Sequence, residues 1–277
     1  MTSSTGDAAV RRRLVGTSLK MYFDLHRTQE YVKEVVECMN QVQDFPPQDS
    51  SGRQALDLFL IPDFVSLLKT AELVRDCRAE FWIGAQDTFD QDSGAFTGEV
   101  SPKTLSQAGC HLVEIGHAER RRLFGETDSE VAKKAAAVIR NNMIPLVCVG
   151  EVTYPGQNTK LAVNECWQQI QGVFELVPAD SEVVLAYEPV WAIGKEKPAS
   201  ANHIVAVTQA LRSRVLSECP NRKDAKLRII YGGSAQPGMF NDIQEGVDGL
   251  FLGRFAHDAK QFVQTLQERA LPERHLQ

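Results

Sequence analysis

Eight short apolar runs, each followed by a longer segment of helical periodicity, constrain this chain more than any other feature. The runs lie at 14–19, 56–61, 81–86, 111–115, 144–149, 182–187, 227–231 and 249–252. The intervening segments at 28–39, 64–77, 102–108, 128–141, 158–174, 202–218, 237–245 and 258–270 read as helices; the first sets Tyr31, Val32, Val35, Val36 and Met39 on one side. Strands joined by helical crossovers have to run parallel. Eight such units in about 250 residues predict an α/β protein built as a single closed (β/α)8 barrel. The open doubly wound alternative calls for a glycine fingerprint after the first strand, and the turn here reads Ser18-Leu19-Lys20-Met21-Tyr22. The barrel domain is expected over 11–271, with 1–10 as a disordered lead-in and 272–277 as a loose tail.

Composition narrows the class. Of 277 residues, 43% are hydrophobic, enough for a sizeable core, and the net charge of −6 lacks the basic footprint of a nucleic-acid binder. No apolar run approaches the roughly 18 residues of a membrane span. The six cysteines are scattered without a C-x-x-C pair, so neither a zinc site nor a redox motif is implied. The first nine residues carry no signal-peptide core, which predicts a reducing, cytoplasmic location.

The strand at 182–187 ends in Glu188, and Pro189 stops its continuation. Trp191 and Gly194 follow, so a carboxylate stands at a strand mouth beneath a loop with an apolar anchor and a closing glycine, the layout of a base under a lid. A surface acid after an edge strand reads equally well from this stretch alone. In a barrel, active sites occupy the C-terminal ends of the strands. Those ends carry Ser18 and Lys20; Gly116, His117 and Glu119; Glu188; Gly232, Gly233 and Ser234; and Gly253 and Arg254. Singly, Lys20 reads as a surface cation, His117 as a core histidine and the glycines as plain turns. Their joint placement at one mouth favours a site. Glycine turns after the last two strands suit a phosphate, with Ser234 adding a hydroxyl and Gly194 a backbone N–H on closure.

The blocks Gly-Ala-Phe-Thr-Gly-Glu at 94–99, Gly-His-Ala-Glu-Arg-Arg at 116–121, Phe-Gly-Glu at 124–126, Ala-Tyr-Glu-Pro-Val-Trp-Ala-Ile-Gly at 186–194 and Tyr-Gly-Gly-Ser at 231–234 resemble the triosephosphate isomerase family, the eponymous TIM barrel. The resemblance spans about residues 14–270, in order and spacing. It implies a cofactor-free, metal-free aldose–ketose isomerase of a small phosphorylated sugar, working through a cis-enediolate. The implied roles are those of a standard worked case: Glu188 moves a proton between adjacent carbons, neutral His117 polarises the carbonyl, Lys20 stabilises the enediolate charge and Glu119 supports Lys20 or shuttles a proton. A helix N-terminus after His117 would disfavour its cation. The resemblance also implies a homodimer in which the loop 87–99 enters the partner, bringing Thr97 toward the partner's active site.

Three places depart from the family pattern. Ser18 and Leu19 stand where an asparagine and a tryptophan are usual. The lid reads Gly-Lys-Glu-Lys-Pro at 194–198 instead of Gly-Thr-Gly-Lys-Thr, and Arg254 replaces a glycine after the last strand. The Gly-Thr-Ser opening and the Asp-Gly-Leu-Phe-Leu-Gly-Arg ending at 248–254 are similar to the erythrulose-phosphate isomerases, which act on a substrate one carbon longer. The implied reaction is therefore interconversion of dihydroxyacetone phosphate and glyceraldehyde 3-phosphate, with L-erythrulose 1-phosphate as the competing substrate. A barrel that binds a sugar phosphate or a protein without turnover is the remaining alternative.

Overall fold

The computed structural model describes residues 11–43, 45–48, 54–156, 158–193, 199–233, 235 and 238–270. The expected lead-in at 1–10, the tail at 272–277 and the positions Gly194 and Ser234 lie outside the described residues. The strands are β1 (Arg13–Ser18), β2 (Leu56–Ile61), β3 (Phe81–Ala85), β4 (Cys110–Ile115), β5 (Ile144–Val149), β6 (Val183–Tyr187), β7 (Leu227–Tyr231) and β8 (Gly249–Leu252). They close in sequence order into a barrel, with β8 pairing parallel to β1. The helices are α1 (Leu25–Gln41), α2 (Leu67–Leu73), α3 (Pro102–Gln107), α4 (Ala118–Phe124), α5 (Asp128–Arg140), α6 (Thr159–Leu176), α7 (Ala201–Glu218), α8 (Phe240–Ile243) and α9 (Ala259–Ala270).

Strand alternation divides the core in two. One set, including Val15, Val113, Ile115, Leu185 and Ile229, packs outward against the helices. The other, including Leu14, Phe59, Leu112, Leu146, Val184, Ile230 and Phe251, fills the lumen. Because both faces are covered, the strands read as continuous apolar runs. The same parity runs on to the mouth: Ser18 continues the lumen row of Leu14, Glu114 that of Leu112, Glu188 that of Val184, and Gly232 that of Ile230. At the opposite end of the lumen the buried Arg228 bonds Asp57 at 2.6 Å.

Side-chain bonds to the backbone move several helix ends from their expected positions. The Asp24 carboxylate accepts from Arg27 N at 2.7 Å and starts α1 at Leu25. Asp63 accepts from the N–H groups of Val65 and Ser66, which holds 63–66 as a turn and delays α2 to Leu67. The helix N-terminus expected after His117 belongs to α4, a short helix outside the eight periodic segments, closed by Gly125 in the left-handed region at φ 71°.

Candidate active site

A cavity of about 1180 Å³ opens at the C-terminal mouth of the barrel. Ser18, Lys20, His117, Glu119 and Glu188 line it, and so do Gly232, Gly233, Gly253 and Arg254. The barrel thus brings these nine residues, all singled out from sequence, around one cavity. Thr97 is not among its lining residues and lies exposed on the long loop after β3.

Glu188 follows β6 directly, its N–H bonded to the Val149 carbonyl at 2.8 Å, so β5 holds its backbone. The residue is 6% exposed. Burial pushes its carboxyl up to about 8, while the charge of Lys20 pulls the other way. Two glycines make room for it. A Cβ on Gly150 would sit 1.7 Å from the Glu188 carbonyl oxygen, and one on Gly232 would sit 2.6 Å from Oε1. The Gly232 N–H donates to the Tyr187 carbonyl at 2.9 Å, so its contribution to the site is the absence of a side chain. The backbone of Gly233 and Gly253 borders the same end of the cavity.

His117 caps α4 and is buried. Its Nδ1 accepts from the Glu119 N–H at 3.2 Å, which leaves the proton of the neutral ring on Nε2. Nε2 lies 3.6 Å from Glu188 Oε2. Burial, reinforced by the Lys20 charge, pushes the imidazolium down to about 4, so the ring is neutral at pH 7. Lys20 Nζ donates to Glu119 Oε1 at 2.8 Å. Burial works against the Lys20 charge, but the bond and charge of Glu119, with Glu188 and Glu114 behind, raise its pKa above the usual lysine range. Burial likewise opposes ionisation of Glu119, yet Lys20, His117 and Arg122 outweigh it and hold that carboxyl below its ordinary value. Lys20 adopts φ 51°, a left-handed conformation costly for a side-chain-bearing residue, and Gln86 donates to its carbonyl at 2.8 Å. A base, a neutral N–H donor and a fixed cation therefore converge on one small volume, the set needed to move a proton between adjacent carbons and stabilise the resulting oxyanion.

Two carboxylates of this region escaped the reading from sequence. Glu151, fully buried just after β5, accepts from Trp191 Nε1 at 2.7 Å and from the Tyr187 hydroxyl, and pairs with His203 Nε2 at 3.0 Å. Glu114 points into the lumen from β4, 3% exposed, with Oε1 4.0 Å from His117 Nε2. The available signal was a charge inside an otherwise apolar strand, Leu112-Val113-Glu114-Ile115, where both faces are buried. Arg254 begins a short 3-10 turn after β8 and is exposed at the cavity rim.

Comparison with known proteins places these observations in a family. The triosephosphate isomerase family model matches residues 13–269. The chain is 41% identical to L-erythrulose-1-phosphate isomerase from Pectobacterium atrosepticum, over 93% of this chain and 96% of that protein. It is 35% identical to triosephosphate isomerase 2 from Listeria innocua, over 91% and 95%. It is 34% identical to triosephosphate isomerase from Thermoanaerobacter pseudethanolicus, over 93% and 99%. The match runs the length of the barrel, and the chain belongs to the triosephosphate isomerase family, isomerases that interconvert aldoses and ketoses.

Proposed function

We propose that this protein isomerises L-erythrulose 1-phosphate, a tetrulose phosphate, with the triose phosphate interconversion as its secondary reaction. Glu188 takes the proton from the carbon next to the carbonyl. The C–H electron pair becomes the enediolate double bond, and the carbonyl pair moves onto oxygen, where His117 Nε2 supplies a proton and Lys20 supplies charge. His117 then takes the proton from the other enediol oxygen, whose electron pair forms the new carbonyl, and Glu188 returns its proton to the former carbonyl carbon. On a triose phosphate that sequence produces an aldehyde. On the tetrulose phosphate the carbon that gives up its proton bears a hydroxymethyl group, so it becomes a ketone and the same step yields a second ketose phosphate. Backbone at Gly233 and Gly253, with Gly194 and Ser234 from the expected lid and turn, serves the phosphate end.

Ser18 carries the choice of substrate. It places a short hydroxyl in the cavity wall where the family resemblance calls for an amide, and its buried Oγ has no protein partner. The larger identity to the erythrulose-phosphate isomerase from Pectobacterium than to the triosephosphate isomerases above supports the same reading. The deciding measurement is kcat/KM for L-erythrulose 1-phosphate and for dihydroxyacetone phosphate on one preparation. A preference of about 100-fold for the tetrulose, near 2.7 kcal/mol, is expected, and a preference for the triose would sink the assignment. A homodimer and a cytoplasmic location complete the proposal. Exposed Met21, Val65, Leu68 and Phe96 on the β1–β3 side of the mouth support the first, and six free thiols support the second.

A further inference from the structure

The chemistry described above does not use Glu114, yet its carboxyl is a costly thing to bury. Parity on β4 points it into the lumen, and it reaches within 4.0 Å of His117 Nε2. Among the described residues three buried side-chain oxygens have no hydrogen-bond partner: Thr28 Oγ1 on α1, and Ser18 Oγ and Glu114 Oε2 at this site. Leaving a buried polar atom without a partner is costly, so two such atoms together call for an explanation. They are neighbours. Burial pushes the Glu114 carboxyl up to about 7 and the adjacent Ser18 hydroxyl pulls it partly back, yet neither Oε2 nor Ser18 Oγ has a hydrogen-bond partner.

Their position matches one end of the substrate. The glycine turns that suit the phosphate follow β7 and β8, and β4 lies across the closed barrel from β8. A ligand with its phosphate at those turns and its reacting carbons between Glu188 and His117 directs its remaining end toward β4. We propose that Ser18 and Glu114 form the subsite for the terminal hydroxyl that a four-carbon ketose phosphate carries beyond its reacting carbons, an inference that rests on the substrate reading above. A hydroxyl donates and accepts at once, so it satisfies the carboxyl in either protonation state and the serine alongside. A triose phosphate lacks that group and leaves both atoms unpaired inside a closed site, which is how sites built for a hydroxyl reject ligands without it.

The test is the ratio of kcat/KM for L-erythrulose 1-phosphate to that for dihydroxyacetone phosphate, using the competitive Ki of the latter if it is not turned over. Glu114→Leu lowers this ratio at least tenfold, and Glu114→Gln, which keeps hydrogen-bonding capacity, holds it within threefold of wild type. A fall of less than tenfold in Glu114→Leu overturns the proposal, whether both rates drop together or neither moves. If that variant does not fold, Ser18→Ala is read against the same tenfold limit. Wild-type protein inactive on the tetrulose phosphate is a separate failure, visible before any variant is made, and removes the substrate reading along with this one.

Discussion

At Glu188 and His117 the usual order of acidities is reversed. Burial holds the carboxyl near 8 and the imidazolium near 4, so the carboxylic acid is the weaker acid of the two. The base must be ionised to act. Log kcat/KM is therefore expected to rise with unit slope up to about pH 8 and then level off; a plateau already complete at pH 6 would contradict that environment. The same shift has a stability cost of known sign. The folded pKa lies above the ordinary 4.5, so the protonated acid favours folding below about pH 4.5, and this contribution is lost as pH rises through 8. Glu188→Gln should thus melt higher than wild type, by a margin that widens from pH 5 to pH 9, with activity lost at every pH. A margin that does not change with pH would argue against a charge buried at cost. The Ala-Tyr-Glu-Pro block and the strand-end position made Glu188 legible in sequence. Glu114 was not, because its meaning depends on which face of β4 meets the lumen and on Ser18 arriving from another strand.

Among the elements, the segment after Glu188 was read as a loop with an apolar anchor. The anchor is polar at its tip. Residues Val190–Ala192 form one 3-10 turn, the Val190 N–H bonds the Glu151 carbonyl at 3.0 Å, and the Trp191 indole reaches the buried Glu151 carboxylate. The hinge substitutions at 195–198 lie outside the described residues, so the described part of the lid is this fixed base. No local pattern reveals such a contact, since 40 residues separate donor and acceptor and Glu151 follows a strand whose neighbours are apolar. Removing only the indole N–H isolates its value. Trp191→Phe keeps an aromatic ring but takes one donor from a fully buried carboxylate, which should cost about 1–3 kcal/mol and lower Tm by several degrees. Because the same turn leads into the lid, kcat/KM should fall at least tenfold in that variant. An unchanged Tm would show that Tyr187 and His203 satisfy Glu151 without it.

For the whole molecule, the eight strands were legible because a barrel wrapped in helices buries both strand faces, and each strand therefore appears as an unbroken apolar run. Helix ends were less so. Asp24, Asp63 and His117 set them through bonds that depend on side-chain geometry, and α4 is too short and polar for periodicity to detect. Surface association is the least legible property, since one exposed apolar side chain means little. Here several fall on segments that follow neighbouring strands. Met21 is 92% exposed, Val65 82% and Leu68 67%, on segments that follow the adjacent strands β1 and β2, and Phe96 adds 42% from the loop after β3. Val65 lies in the Asp63 turn that precedes α2. Burying such side chains yields about 1.5–3 kcal/mol each, and a stable interface needs about 800 Å² per partner. The Val65→Asp, Leu68→Asp double variant is therefore expected to sediment as a monomer at concentrations where the proposed wild-type dimer persists. Its kcat should also drop, because Lys20 and Met21 share one short turn and the partner's loop around Thr97 is proposed to pack beside it. A dimer that survives both charges would move the interface to another face of the barrel.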